Sequence, residues 1–205
     1  MHEEILTKEA LALFPSLARF EGYYLVGGTA LALHIGHRIS VDFDLFCPNE
    51  LDTKLLARAK RAFSGHTLSV TYAAPEHLNI IVDGVRVTFL YYPYPVLESF
   101  VQYQNVPLAS IREIATMKAF AVGKRLAYKD YVDWYFLLRG KHVELAEVIA
   151  LAQRKFGSDF NDRLFLGQLV SFDDVPDQKI SFAGASVART EIERYLEETV
   201  RGIAL

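Results

Sequence analysis

The stretch from Tyr23 to Phe46 constrains the fold more than any other part of the chain. Tyr23 to Val26 is short, aromatic and β-branched, and it runs into Gly27-Gly28, the pattern of a buried strand entering a tight turn. Thr29 to Ile35 then reads as a small apolar helix stopped by Gly36, where a left-handed cap would suit. Val41 to Phe46 alternates apolar and acidic residues. Side chains along a strand alternate in direction, so Val41, Phe43 and Leu45 take one side and Asp42 and Asp44 the other.

That order carries chemistry as well as shape. Two carboxylates two residues apart on a strand can share divalent cations, and Mg²⁺ commonly takes only one or two protein carboxylates, leaving waters and substrate phosphates to complete its shell. The spacing alone also fits an edge strand that shows its acids to water. The glycine pair upstream adds a second signal. Glycine lets backbone approach a phosphate closely, and a helix start offers free amides and a favourable dipole.

Downstream, Leu51 to Phe63 has apolar residues at helical spacing, and Leu68 to Ala73, Leu78 to Val82 and Val85 to Tyr91 read as strands. Asp83-Gly84 between the last two is a strong hairpin signal. Tyr91-Tyr92-Pro93-Tyr94-Pro95 is expected to end the sheet, because proline cannot donate to a ladder. Ser110 and Glu113 have capping-box spacing at the head of a helix, and helices are expected over 130–138, 142–156, 161–168 and 188–202. The segment from Phe172 to Gly184 reads as a loop, and Glu3 to Phe20 as one helix broken at Pro15. The expected architecture is α+β: a mixed sheet flanked by helices over residues 1–108, followed by a helical lobe over 109–205.

GGTALALHIGHRISVDFDLF resembles the AbiEii/AbiGii toxin family of the DNA polymerase β-like nucleotidyltransferase superfamily, whose mark is a Gly-Gly helix start followed by Asp-x-Asp. EIATMKAFAVGKRLAYKDYVDWYFLL is similar to the same family's later block, with Lys118, Lys129, Asp130 and Asp133 in its places. The resemblance implies a nucleotidyltransferase fold and transfer of a nucleotide from a nucleoside triphosphate to an acceptor. It implies Gly27, Gly28, Thr29 and Ser40 at the triphosphate, Asp42 and Asp44 as ligands of Mg²⁺ or Mn²⁺, Lys118 against a phosphate, and Asp130 orienting it or the acceptor. It further implies an RNA acceptor, a tRNA end, and a toxin role in a toxin–antitoxin or phage-defence system with a cognate antitoxin.

One departure stands out. The superfamily pattern expects a third acid on a neighbouring strand, yet Val85 to Leu90 offers Arg86 and Thr88. Either two aspartates suffice, or an acid from the helical lobe such as Asp130 reaches the site, or activity is reduced and the chain is a nucleotide- or partner-binding module; a phosphotransferase is a separate alternative.

Charge and composition remove other classes. A net charge of −3 does not suit a protein that coats nucleic acid indiscriminately, although Lys118, Lys124, Arg125 and Lys129 form a local basic cluster. No run approaches the roughly 20 apolar residues of a membrane span, and the lone Cys47 excludes an intrachain disulfide. The expected location is cytoplasmic. His34, His66, His77 and His142 lack the spacing of a zinc site, and Tyr91, Tyr92 and Tyr94 suit packing better than base stacking. Arg38 is evenly balanced between a phosphate contact and a solvated turn.

Overall fold

The computed structural model describes residues 1–122, 124 and 127–203. The chain divides into two compact units, one of Met1–Pro95 with Ser99–Ser110, the other of Val96–Glu98 with the chain from Ile111 onward.

The first unit is built on a seven-stranded mixed sheet. Its strands are β1 (Tyr24–Val26), β2 (Phe43–Cys47), β3 (Leu68–Ala74), β4 (His77–Val82), β5 (Val85–Tyr91), β6 (Val101–Tyr103) and β7 (Val106–Leu108), in spatial order β3-β4-β5-β2-β1-β7-β6. The β2–β5 and β1–β7 pairs are parallel and the others antiparallel. The sheet does not end at Pro95. Gln104 and Asn105, at φ +47° and +63°, make a tight turn that returns β7 against β6, and β7 then lies beside β1.

Alternation decides the faces. Phe43, Leu45, Val87, Phe89, Leu78 and Ile80 are buried on one side. Phe14 packs edge-on against Phe43 and Phe20 lies 4.7 Å from the Phe89 ring, so the N-terminal segment covers that side. That segment is three pieces rather than one broken helix: a 3-10 turn at Glu3–Ile5, α1 (Lys8–Leu13) and a 3-10 helix at Phe14–Arg19. The Thr7 hydroxyl accepts the Ala10 N–H and so starts α1. Pro15, which has no N–H to offer an α-helical ladder, falls in the first turn of the second 3-10 helix. Helix α2 (Gly27–Ile35) joins β1 to β2, and α3 (Leu55–Ala62) follows β2, starting four residues later than its spacing predicts.

The second unit is helical: α4 (Ile111–Ala121), α5 (Tyr128–Arg139), α6 (Leu145–Phe156), α7 (Asp162–Leu169) and α8 (Arg189–Arg201). Trp134 and Tyr131 of α5 are fully buried, and the Tyr131 hydroxyl reaches the Gln168 and Ser171 carbonyls, tying α5 to the end of α7. Phe120 of α4 stacks on Phe156 of α6 at 4.1 Å. A buried ion pair, Lys155 Nζ to Glu113 Oε1 at 2.5 Å, lies between the same two helices. The other Glu113 oxygen accepts the Leu97 N–H, which binds residues 96–98 to this unit.

Candidate active site

Helix α2 begins at Gly27, two residues earlier than the sequence suggests, so both glycines belong to its first turn. Val26 precedes it in extended conformation, with no side-chain cap on the first amides. The antiparallel register pairs Val26 with Asp44 and thereby brings the acidic strand to the head of α2. Gly27 has φ +74°, and a Cβ there would collide with the Asp44 carboxylate. A Cβ on Gly28 would collide with the Arg38 guanidinium and stand 3.5 Å from the Ser40 hydroxyl.

Thr29 turns inward. Its buried hydroxyl bonds the Asp42 carbonyl and lies 2.8 Å from Ser40 Oγ. A threonine hydroxyl has one proton, and only a donor can bond a carbonyl, so Thr29 donates to Asp42 and accepts from Ser40. Ser40 is held from its other side by its own N–H on the Ile5 carbonyl. With its carbonyl on Thr29, Asp42 stands one residue before β2 instead of inside it. Asp42 and Asp44 are both half-buried, leaving carboxylate oxygens of the hard type that Mg²⁺ or Mn²⁺ accepts.

Register also identifies what stands next to Asp44 across the sheet. Its partner on β5 is Thr88, whose partner on β4 is Asn79, and Asn79 Oδ1 lies 2.9 Å from His77 Nε2. The row beside Asp44 is therefore neutral and polar. Among the described residues no three His, Cys, Asp or Glu side chains gather in a metal-holding group.

In the second unit, Lys118 of α4 makes ion pairs with Asp130 Oδ1 at 2.9 Å and Asp133 Oδ2 at 2.5 Å. All three are buried, at 5%, 2% and 0% exposure. Asp130 and Asp133 are three apart on α5 and so share a helix face; that spacing is the signal that marks Asp133 as the third member. Lys118 thus points into the unit and does not contribute to a solvated basic face. Lys124 lies over the Phe120 ring, 3.0 Å from its centre, with burial lowering its pKa, and Arg125 lies outside the described residues.

Arg38 is the residue that sequence reasoning left undecided and the structure places: it is 5% exposed, with Nη1 donating to the Ile39 carbonyl at 3.2 Å and Nη2 beside Gly28. Cys47 is buried and its thiol is pushed up by desolvation, with Sγ on the Asn49 carbonyl, so it is no nucleophile. Tyr92 packs between Phe46 and Tyr94 at 5.0 and 5.2 Å.

A glycine-pair helix start closed against an acidic strand, in a mixed sheet of this order, defines the nucleotidyltransferase class. Two solved Helicobacter pylori structures share the fold: one proposed to be a nucleotidyltransferase, with TM-score 0.54 and 18% identity over 94% of this chain and 98% of that one, and JHP933, with TM-score 0.52 and 16% identity over 96% and 97%. An uncharacterised protein of Aquifex aeolicus strain VF5 is 31% identical over 194 residues, covering 93% of this chain and 89% of its own. The chain belongs to the family described as nucleotidyl transferase AbiEii toxin, type IV TA system, whose model matches residues 10–202. Among the described residues no helix is long and apolar enough to cross a membrane.

Proposed function

We propose that this nucleotidyltransferase moves a nucleotide from a nucleoside triphosphate to an RNA, a tRNA end being the acceptor, as the toxin of a pair with a cognate antitoxin. The observation that carries the proposal is the seating of the Asp44 carboxylate against Gly27 at the uncapped head of α2. Free amides at a helix start favour a phosphate, and a carboxylate beside them suits a cation shared with that phosphate.

Asp42 and Asp44 would hold Mg²⁺ or Mn²⁺, which when bound neutralises phosphate charge and stabilises the entering and leaving oxygens of an in-line displacement. The residues of the chain act by position. Gly27 and Gly28 set the first turn of α2 at the triphosphate, Thr29 fixes Asp42 through its carbonyl, and Ser40, whose hydroxyl proton goes to Thr29, offers a lone pair that suits an ion-bound water. The resemblance assigns Lys118 to a phosphate and Asp130 to orienting it or the acceptor; the Lys118–Asp130 pair suits the orienting role, while a phosphate contact requires Lys118 to leave both carboxylates. In the reaction an acceptor hydroxyl oxygen bonds the α-phosphorus, the α–β anhydride bond breaks, and pyrophosphate leaves with the acceptor proton passing to solvent.

Incubation with each labelled nucleoside triphosphate, Mg²⁺ and total RNA tests this. Label should enter RNA with the native protein and be lost with Asp42→Asn and Asp44→Asn. No transfer with any nucleotide, or equal transfer by Asp42→Asn, would sink the proposal. A second reading draws support from Thr88, which stands where a third acid is expected: a module that binds a triphosphate or a protein partner without turnover. Pyrophosphate release would reject it, and release of inorganic phosphate instead would mark a phosphotransferase.

A further inference from the structure

We propose that Arg38 is a phosphate-positioning residue of this site, and that residue 28 is glycine because the Arg38 guanidinium fills the space a side chain there would need. The inference rests on the triphosphate reading above and adds to it a residue and a reason.

The sequence suggests that Gly28 exists to let a phosphate near the backbone. The structure supplies another occupant. Beyond Gly36, at φ +64°, the chain returns toward the head of the helix it has just left, so that Ser40 meets Thr29 and Arg38 meets Gly28. Arginine is almost never fully buried unless it is paired, so its position here is held by specific contacts. This one is 5% exposed, with one nitrogen fixed on the Ile39 carbonyl and the other against Gly28.

Electrostatics says which ligand suits a guanidinium in that position. The N-terminus of a helix carries partial positive charge, so a cation placed there is disfavoured unless an anion shares the place. Asp44 brings one anion to Gly27. A triphosphate brings several more, and a guanidinium presents a planar fork that matches phosphate oxygens two at a time. The glycine pair therefore seats two opposite charges on adjacent residues: a carboxylate for a cation on Gly27, and a guanidinium for phosphate on Gly28.

The test is a double-mutant cycle on the full chain, read by calorimetry with the Mg²⁺ complexes of ATP, CTP, GTP and UTP and with the matching monophosphates. Arg38→Ala should weaken the best triphosphate by roughly tenfold or more and the monophosphate far less. Arg38→Lys should recover part of the loss. Gly28→Ala should weaken the triphosphate in the native background and add nothing in the Arg38→Ala background. Equal binding by Arg38→Ala, equal losses for mono- and triphosphate, or a full added loss from Gly28→Ala would each overturn the inference alone. A native protein that binds none of the four would overturn the triphosphate reading and Arg38's role with it. Urea midpoints check that each variant folds; should Arg38→Ala not fold, Arg38→Gln takes its place in the cycle.

Discussion

The Asp44 carboxylate occupies the space that a β-carbon on Gly27 would fill, and Gly27 itself sits at φ +74°. Alanine at 27 therefore faces two separate penalties, a left-handed backbone and a collision with a charged group. Strain of that kind costs about 1–3 kcal/mol by itself. Gly27→Ala should lower stability by at least that much in urea unfolding, and its cost should fall in an Asp44→Ala background, where only the backbone strain is left. Equal cost in both backgrounds would mean that Asp44 is not the obstacle.

Lys118 stands between two buried carboxylates, and its loss leaves Asp130 and Asp133 together in a dry place. Removing one partner of a buried ion pair costs about 3–5 kcal/mol. Lys118→Met should reach that range near neutral pH, while Asp133→Asn, which spares the Lys118–Asp130 pair, should cost less. In the Lys118→Met chain the two carboxylates repel, so the folded state binds a proton more readily than the unfolded one. Stability from that raised pKa is present in acid and lost as pH rises, so the gap between variant and native should narrow as pH falls. A gap of constant size between about pH 7.5 and pH 5 would contradict it.

The strand, glycine pair, helix and acidic strand were legible because each is specified by neighbours in the chain. So was the β4–β5 hairpin, through Asp83-Gly84. The β6–β7 hairpin was not, because its strands are three residues long, Pro107 lies in one of them, and Gln104-Asn105 turns without glycine. The start of β2 was misplaced by two residues for a tertiary reason: the Asp42 carbonyl goes to Thr29, thirteen positions away. Arg38 was undecided for the same reason. Nothing in the spacing shows that its side chain comes to rest on Gly28, since only the packed return of the chain along α2 brings them together. Lys118 belonged on paper to a basic cluster, and burial makes it an internal ion-pair partner instead.

Glu113 performs two tasks, accepting from Lys155 Nζ at 2.5 Å and from the Leu97 N–H at 3.1 Å. Glu113→Leu removes both bonds and leaves a buried ammonium behind. Lys155→Met removes one and leaves the carboxylate its backbone donor. Both should destabilise by about 3–5 kcal/mol, with Glu113→Leu the worse. The double variant should cost clearly less than the sum, because no buried charge is stranded. Denaturation of the four proteins gives the coupling directly, and strict additivity would show that the two side chains do not depend on each other.

His34 joins α2 to the residue after β7, its Nε2 lying 2.8 Å from the Ala109 carbonyl. A carbonyl only accepts, so Nε2 carries the proton and donates it. Burial lowers the imidazole pKa from 6.5, the bond to Ala109 opposing it only in part. With the folded pKa depressed, the unfolded chain takes up a proton first as pH falls below about 6.5, while the folded chain stays neutral to lower pH. Acid therefore draws on the unfolded state, and His34 subtracts stability over that window. His34→Gln cannot titrate, so the native protein should lose more stability than this variant between about pH 7.5 and pH 5. The hydrogen-bonded carboxylate of Asp83 also holds a lowered pKa and loses its contribution further into acid, but it is common to both chains and cancels. Urea midpoints at the two pH values give the comparison, and parallel losses would show that the imidazole takes up its proton as readily in the fold as out of it.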